Sequence, residues 1–244
     1  VMVNGLFVRS EEGTPQGGPL SPLLSNVMLN ELDKELENRG LPFVRYADDS
    51  MIFCRSKRAA ERVRESITNF IEGRLHLKVN KEKTVVSYVR GVKYLGYSFY
   101  INKGKCLLTV HPKTKAKMRR RLKELTGRSN GMGYAKRKKE LRLYIKGWVN
   151  YYHLATMKRL TDETDEWLRR RLRMCIWKSW KLPKTRAKNL IKCGINKYNA
   201  RRWGCVKGYW RVAGSPIMHT AASNVNLRKA GYTFLYDEYA KWLP

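Results

Sequence analysis

Two adjacent aspartates, Asp48 and Asp49, carry the clearest chemical signal in the sequence. Short apolar runs flank the pair, with Val44 and Tyr46 before it and residues 51–53 after it. This pattern predicts two strands joined by a tight turn that displays both carboxylates. Adjacent carboxylates repel each other, so a turn that exposes both favours a divalent cation, and metal-assisted phosphoryl chemistry is a natural use for such a site. An ordinary polar hairpin turn is the alternative, since Asp is common in turns.

The charge of the chain indicates that the phosphate-bearing partner is nucleic acid. The 244 residues include 51 Lys or Arg and 20 Asp or Glu, which gives a formal net charge of +31. Residues 1–100 hold 15 of these cations and 12 of the acids, whereas residues 101–244 hold 36 and 8, together with all seven tryptophans. A nearly neutral part that carries the aspartates is therefore followed by a basic, aromatic-rich part suited to attract a phosphate backbone.

Composition argues against several other classes of protein. No apolar run approaches the roughly 18 residues of a membrane span, and we expect neither a signal peptide nor contact with a membrane. The five cysteines are widely spaced and form no CxxC pair, which disfavours a zinc ribbon and a disulfide framework. A reducing cytosol is the compartment that fits these features.

A loop rich in glycine and proline precedes the aspartates at residues 13–19. A loop of this kind that leads into a helix lets the backbone approach a nucleotide closely, and a helix N-terminus favours phosphate. The same composition also suits a plain connecting loop. The next helix is predicted to begin at Ser21 and to stop at 38–40, with its apolar residues on one face. That face consists of Leu23, Leu24, Val27, Met28 and Leu32.

Hydrophobic periodicity and turn signals predict the remaining elements. A second amphipathic helix is expected at about 58–72, and its inward residues are Val63, Ile67, Phe70 and Ile71. Strands are expected at 84–88, 92–95, 97–101 and 107–110. Helices are expected at about 113–126, 135–153, 161–180 and 184–193, followed by short helices and loops.

These motifs resemble those of the reverse transcriptases encoded by bacterial group II introns, which are also RNA-splicing maturases. Residues 13–30 look like polymerase motif B of that family, and residues 46–49, Tyr-Ala-Asp-Asp, look like motif C. Residues 75–84 are similar to motif D, and residues 94–97, Tyr-Leu-Gly-Tyr, to motif E, the primer grip. Residues 147–152, Gly-Trp-Val-Asn-Tyr-Tyr, match a signature of the maturase-specific region, called domain X or the thumb. The resemblance covers nearly the whole chain.

The resemblance implies a role for each matching residue. Asp48 and Asp49 would be carboxylates of a site for two Mg²⁺ ions, with Asp48 the more direct ligand. Lys83 would neutralise or protonate the pyrophosphate leaving group, although a surface lysine in a basic turn is the alternative interpretation. The nucleotide and the template would be bordered by Gln16, Gly17, Gly18, Pro19, Tyr46 and Ala47. The primer grip would consist of Tyr94, Leu95, Gly96 and Tyr97.

Clustered cations in the second part predict a surface that binds RNA. Residues 113–123 contain seven Lys or Arg in eleven positions, and further clusters lie at 136–139 and 169–173. A-form RNA suits such a surface because it is recognised by shape and backbone, whereas a solvated charged face is the alternative. The candidate RNA-binding residues are Lys113, Lys117, Arg120, Arg121, Lys138, Arg170, Arg201 and Arg202.

Aromatic residues of the second part divide into two predicted groups. Most of those between 148 and 180 have the spacing of buried helix faces and are expected in the core. Trp203, Tyr209 and Trp210 stand among Arg and Lys residues and are better candidates for contact with nucleic acid bases. The histidines lack metal-ligand spacing and are expected to be structural or incidental.

The resemblance implies an α+β fold with a palm, a thumb and a tail. Residues 1–110 would be the C-terminal part of a polymerase palm, residues 111–190 a helical thumb, and residues 191–244 a basic tail that binds nucleic acid. The full protein would be an RNA-directed DNA polymerase and a splicing maturase. Its partners would be group II intron RNA, an RNA template–DNA primer duplex, dNTP and target DNA. It would act in the bacterial cytoplasm, associated with the nucleoid.

The resemblance also sets limits and leaves rivals open. Glu11 and Glu12 do not resemble the motif A aspartate of the family, so we expect this chain to be a fragment without fingers and motif A, inactive alone. No Cys/His cluster of an endonuclease domain follows residue 191. The rivals are an RNA-binding maturase with a relict polymerase site and a reverse transcriptase of another lineage, such as a retron. The sequence leaves the oligomeric state and the identity of the intron open.

Overall fold

The computed structural model describes residues 18–243, together with the backbone of two short antiparallel strands, β1 (Met2–Val3) and β2 (Leu6–Phe7). The chain divides into two compact units, Val1–Val89 and Arg90–Pro244. Among the helices that the structure describes, none combines the length and the apolar character that crossing a bilayer requires.

The first unit pairs two helices with a small hairpin. Its elements after residue 18 are α1 (Ser21–Asn38), β3 (Phe43–Tyr46), β4 (Asp49–Ile52) and α2 (Lys57–Gly73). Helix α1 stops where Gly40 takes a positive φ of 62°, as the predicted stop at 38–40 requires. Ser56 caps the start of helix α2, because its Oγ accepts the backbone N–H of Ala59 at 3.2 Å.

The core of the first unit joins α1, the hairpin and α2. Leu32, Leu36, Ile67 and Leu75 are buried in it. All four residues predicted to face inward on α2 pack there, which confirms the amphipathic pattern of that helix; they are Val63, Ile67, Phe70 and Ile71. Phe43 and Ile52, which pair across the hairpin, pack against the same core.

The apolar face of α1 is covered only over the second half of the helix. Leu23 and Val27 are 60% and 64% exposed, and Leu24 and Met28 are exposed as well. Only Leu32 of the predicted face is buried, because the hairpin and α2 pack against the second half of the helix. Periodicity identifies an apolar face, but it does not say what covers that face.

The strand predicted at 84–88 is also wrong. Residues 84–88 form neither helix nor strand, and Val85 and Tyr88 are exposed. A strand needs a neighbour to take its backbone hydrogen bonds, and no strand among the described residues pairs with this segment.

The second unit begins with a three-stranded antiparallel sheet that consists of β5 (Lys93–Tyr94), β6 (Tyr97–Asn102) and β7 (Lys105–Val110). The four long helices that follow match the predicted ones to within three residues at each end. They are α3 (Pro112–Leu125), α4 (Tyr134–Tyr152), α5 (Lys158–Ser179) and α6 (Pro183–Lys192). Shorter helices follow in the described part: α7 (Lys197–Gly204), α8 (Tyr209–Ala213), α9 (Pro216–Ala221), α10 (Asn224–Lys229) and α11 (Leu235–Tyr239).

One hydrophobic core runs through the second unit, from Val110 at the end of β7 to Tyr239 in α11. Trp148 and Trp177 are buried in it, and Trp167 and Trp180 pack against it, as predicted for most aromatics of this region. The short helices after residue 191 therefore share their core with the long ones. This small-sheet and helix architecture confirms the α+β class.

Candidate active-site turn and nucleic-acid surface

The aspartates lie at the tip of the β3–β4 hairpin, as predicted. Tyr46 pairs with Asp49, so Ala47 and Asp48 form a two-residue loop. Ala47 has a positive φ of 53°, a conformation that such loops require and that non-glycine residues adopt at a cost. Because side chains alternate along a strand, Asp49 lies on the face of the hairpin that carries Tyr46, opposite to the face of Arg45.

Arg45 ties this turn to helix α1. Its Nε donates to Asp33 Oδ1 at 2.7 Å, and a second guanidinium nitrogen donates to the other oxygen of Asp33. Its Nη1 donates to Asn26 Oδ1 at 3.0 Å and to the carbonyl oxygen of Ala47 at 2.9 Å. The side chains of Arg45 and Asp33 are only 13% and 22% exposed, so the ion pair is shielded from water. The guanidinium therefore fixes the backbone immediately before Asp48.

The two carboxylates fit a divalent cation. Both aspartates are exposed, and neither carboxylate takes part in a hydrogen bond or ion pair that the described residues form. No cluster of three or more His, Cys, Asp or Glu side chains in the described part is placed to hold a metal. Mg²⁺ is commonly held by one or two carboxylates, with water and substrate phosphate oxygens completing its octahedron. The turn offers two adjacent carboxylates that could take this part.

The resemblance implies primer extension by the complete protein, and we predict that Arg45→Ala lowers that activity by about 10–100-fold, because misplacing a catalytic group by about 1 Å costs rate on that scale. Arg45→Lys should recover little activity, since an ammonium cannot reproduce the two-pronged bond to Asp33. Arg39→Ala is the matched control, because Arg39 pairs with Glu35 and Ser66 away from the turn. Equal losses in the Arg39 and Arg45 variants would contradict a role in positioning the turn.

The candidate residues of the first unit outside this turn lie in two other segments of the sequence. Gln16 and Gly17 fall outside the described residues. Gly18 and Pro19 precede α1, and the carbonyl oxygen of Gly18 accepts the N–H of Ser21 at 3.1 Å. Lys83 is exposed in a turn at 81–83, where its backbone N–H donates to Asn80 Oδ1 at 3.1 Å. No hydrogen bond or ion pair among the described residues joins its ammonium to the aspartates, so its catalytic role stays a prediction.

The predicted primer grip is a second two-residue hairpin turn. Tyr94 pairs with Tyr97, while Leu95 and Gly96 take positive φ values of 49° and 83°. The carbonyl oxygen of Gly96 accepts the backbone N–H of His111 at 3.1 Å and the hydroxyl of Thr114 at 3.0 Å. The backbone of this turn is therefore hydrogen-bonded to the start of α3.

The same turn packs against the Gly147–Tyr152 segment of α4, so two motifs that are separate in the sequence meet here. The Tyr97 hydroxyl donates to the carbonyl oxygen of Tyr151, and the Tyr151 hydroxyl donates to the carbonyl oxygen of Leu95 at 3.2 Å. The Tyr97 ring lies 5.2 Å from that of Tyr152, which in turn lies 4.8 Å from that of Trp148. Burial, together with Tyr151 and Tyr152, raises the pKa of Tyr97 to about 12, so its hydroxyl keeps the proton that it donates.

Six of the eight candidate RNA-binding residues are exposed. They are Lys113, Lys117, Arg120, Arg121, Arg201 and Arg202. Lys138 and Arg170 are half-buried and have internal contacts: Lys138 Nζ donates to the carbonyl oxygen of Ala230 at 3.0 Å, and the Arg170 guanidinium lies 4.3 Å from the Trp210 ring. The RNA-binding role of all eight stays a prediction.

Several cations in the predicted basic clusters are structural instead. Arg137 and Arg173 are buried, and Arg173 donates to the carbonyl oxygen of Ala222 at 2.9 Å and to Asn224 Oδ1 at 3.0 Å. Of the three aromatic candidates for nucleic-acid contact, Trp203 and Tyr209 are partly buried against the core and Trp210 is exposed, and their contact with nucleic acid stays a prediction. A charge count includes such residues because it does not show which carbonyl oxygens they meet after folding.

The sequence did not mark Asp165, a residue of α5 that binds the start of α11. Its carboxylate accepts the backbone N–H groups of Leu235 and Tyr236 at 2.9 and 2.8 Å, at the start of α11. Burial raises the pKa of this carboxyl to about 6, although the two N–H bonds oppose the shift. The capped positions lie 70 and 71 residues away in the chain, so no local pattern marks the interaction.

Two models of known protein families match this chain, one after the other. The model of the reverse transcriptase (RNA-dependent DNA polymerase) family matches residues 4–99, and the model of the group II intron maturase-specific domain matches residues 115–194. The first match contains the Asp48–Asp49 turn and the primer-grip turn. The second contains most of the four long helices.

Similar proteins include a group II intron-encoded protein and a retron reverse transcriptase. The group II intron-encoded protein LtrA of Lactococcus lactis subsp. cremoris is 25% identical over 41% of this chain and 28% of its own length. Protein YkfC of Escherichia coli K12 is 34% identical over 38% of this chain and 34% of its own. The retron Ec86 reverse transcriptase of E. coli is 35% identical over 30% and 24%. The chain thus spans about a third or less of the length of the curated relatives it matches.

The two family matches occur in the order, and on the motifs, that the sequence predicts, and an intron-encoded protein is among the relatives. The chain therefore joins a segment of the reverse transcriptase family to a group II intron maturase-specific domain.

Proposed function

We propose that the protein carrying this chain is an RNA-directed DNA polymerase of a group II intron, and that it also binds the intron RNA to assist splicing. The observation that carries the polymerase assignment is the braced hairpin turn that presents Asp48 and Asp49 to solvent inside the segment matched by the reverse transcriptase family. A protein that only binds RNA has no need of two adjacent, exposed acids.

The proposed reaction extends a DNA primer on intron RNA. The primer 3′-hydroxyl attacks the α-phosphate of a dNTP, the bond to the β-phosphate breaks, and pyrophosphate leaves. Asp48 and Asp49 would hold Mg²⁺, which when bound stabilises charge on the attacking and leaving oxygens. Arg45 holds the turn against α1, so that the carboxylates need little reorganisation during the reaction.

The remaining site residues receive proposed roles from the family motifs. Lys83 would neutralise or protonate the leaving pyrophosphate. The incoming dNTP and the template would be bordered by Gln16, Gly17, Gly18, Pro19, Tyr46 and Ala47. The turn at 94–97 would grip the primer, and its attachment to α3 and α4 supports that role because a grip must be rigid.

The basic second unit supports the maturase role. Its match to the maturase-specific domain implies binding of intron RNA, and the exposed cations of α3 would provide contacts to phosphate. We propose residues 1–110 as palm, 111–190 as thumb and 191–244 as a basic region that contacts nucleic acid, including target DNA. The shared core of the last two segments supports their acting as one rigid binding surface.

The rival functions are a retron-type polymerase and a maturase without polymerase activity. The maturase-specific match over residues 115–194 favours an intron over a retron. The intact aspartate pair favours an active polymerase over a relict one. Primer extension by the complete protein on intron RNA, measured beside splicing of the same RNA, separates the three.

Replacing Lys117, Arg120 and Arg121 together with Gln is expected to weaken binding of intron RNA and to flatten its salt dependence. Removing three cations that each neutralise a phosphate should reduce the slope of log K against log salt by about 2–3. The measurement is RNA affinity between low and moderate salt. The matched control replaces Arg58, Arg62 and Arg64, which are exposed on α2 and carry the same charge. An unchanged slope in the α3 variant would mean that this helix is only a solvated face.

A further inference from the structure

An open cleft of about 640 Å³ lies between α3, α5 and α8 in the second unit. Of the described residues that line it, four are cationic, two are tryptophans, one is alanine and none is acidic. The cations are Arg119, Arg120, Lys123 and Arg171, and the tryptophans are Trp167 and Trp210. A concave site that combines fixed positive charge with aromatic rings, and lacks a counter-charge, suits a ligand with both a phosphate and a flat ring.

Two of the four cations of the cleft are held in place by the protein itself. The guanidinium carbons of Arg119 and Arg171 lie 5.0 and 5.1 Å from the Trp167 ring centre. Arg171 also donates to Thr126 Oγ1 at 2.6 Å and to the carbonyl oxygen of Lys123 at 3.0 Å. Trp167 itself packs against the core. The charges of Arg119 and Arg171 are therefore preorganised, unlike those of free surface side chains, and lose little entropy when they meet a phosphate.

Trp210 is the ring that is available for stacking. It is 40% exposed, whereas the other aromatics near it pack against the core. The Arg170 guanidinium lies 4.3 Å from its ring centre and donates to its carbonyl oxygen at 3.4 Å. Gly214 leaves room for the Arg170 guanidinium, because the Cβ of any other residue at this position would lie only 2.9 Å from Arg170 Cζ. One side of Trp210 is thus supported by a fixed cation, and its exposed surface remains free.

We propose that this cleft binds a single unpaired nucleotide of RNA, with its base on Trp210 and its phosphate beside Arg119, Arg120 and Lys123. The proposal rests on the proposed RNA-binding function and deepens it. A paired helix keeps its bases stacked inside and offers only its backbone, whereas a bulged or looped nucleotide can place both ring and phosphate in the cleft. The second unit then recognises a structural irregularity of RNA in addition to its charge.

The test uses the complete protein and two RNA hairpins, identical except that one carries a single bulged 2-aminopurine. The unaltered protein should bind the bulged hairpin about tenfold more tightly than the paired one, within the range of a base stacked on an aromatic side chain. Fluorescence of the 2-aminopurine should fall on binding. Trp210→Leu should abolish both the preference and the quenching while binding of the paired hairpin stays unchanged, and Trp210→Phe should keep part of each.

Tyr198→Leu is the matched control, because Tyr198 is an exposed aromatic of the same unit that does not line the cleft. It should leave both affinities as they are. Equal binding of the two hairpins by the unaltered protein, or an equal loss for both in Trp210→Leu, would overturn the cleft proposal. Competition by free adenosine monophosphate at the affinity of the bulged hairpin would also overturn it, in favour of a free nucleotide site. Failure to bind either hairpin or intron RNA would instead refute the broader RNA-binding function.

Discussion

Replacing Asp48 with Asn is expected to lower primer extension by the complete protein about a thousandfold or more. Asn has nearly the same shape and suits turns, so the two-residue loop and its bond to Arg45 should persist. The substitution removes one negative charge that would hold a divalent cation at the reacting phosphate, and removal of one electrostatic stabiliser of a transition state costs about 10²–10³-fold or more. Residual activity should require a higher Mg²⁺ concentration.

Two measurements separate this effect from general damage. Affinity for intron RNA should stay close to that of the unaltered protein, because the net positive charge of the chain lies almost entirely after residue 100. Glu72→Gln removes the same charge from an exposed position on α2 and should leave extension unchanged. Extension retained by the Asp48 variant at ordinary Mg²⁺ concentration would refute the metal role.

The aspartate turn could be predicted because every determinant of it is local. Alternating apolar residues on both sides and a pair of turn residues specify a hairpin, and the structure has it at the expected position. The long helices of the second unit were accessible for the same reason. Their signals lie close together in the sequence and need no distant contact. They are the hydrophobic period, the prolines at helix starts (Pro112 and Pro183) and the glycines between α3 and α4 (Gly131 and Gly133).

What supports the turn could not be predicted, because it depends on contacts between distant segments. In the sequence Arg45 is one more cation, and only the fold brings Asp33 and Asn26 of α1 to it. Arg173 likewise belongs to a basic cluster in the sequence, whereas in the fold it donates to the carbonyl oxygen of Ala222. Charge patterns report composition, whereas burial and pairing are decided by tertiary packing.

The same limit explains two features of the first unit, the exposed half of the apolar face of α1 and the wrong strand at 84–88. Leu23 and Val27 share a helical face with Leu32, but only Leu32 meets a neighbouring element among the described residues. Residues 84–88 have the composition of a strand and lack a paired neighbour in the described part. Local preference favours an element, and a partner is needed to stabilise it.

Gly96→Ala is expected to destabilise the second unit by about 2–4 kcal/mol and to detach the predicted primer grip from the thumb. The φ of 83° at Gly96 is strained for any side chain, which costs about 1–2 kcal/mol. An added Cβ would also lie inside van der Waals contact of the Tyr152 hydroxyl and 3.2 Å from Thr114 Oγ1. Tyr152 cannot easily retreat, because its ring packs against Tyr97 and Trp148. Overpacking of this kind costs about 1–3 kcal/mol.

Gly104→Ala isolates the contact from the backbone strain. Gly104 has a φ of 75° in the next hairpin turn, and nothing lies within 4 Å of a Cβ placed there. Its replacement should therefore cost only about 1 kcal/mol, from strain that the less flexible unfolded chain partly offsets. Thermal and urea unfolding of the two variants gives the difference directly. Adding Tyr152→Phe should restore part of the stability of the Gly96 variant and none of that of the Gly104 variant, since it removes the atom nearest the new Cβ at Gly96. Equal destabilisation at both glycines would mean that backbone strain alone accounts for the loss of stability at Gly96. Close packing of this turn against Tyr152 of α4 would then contribute nothing.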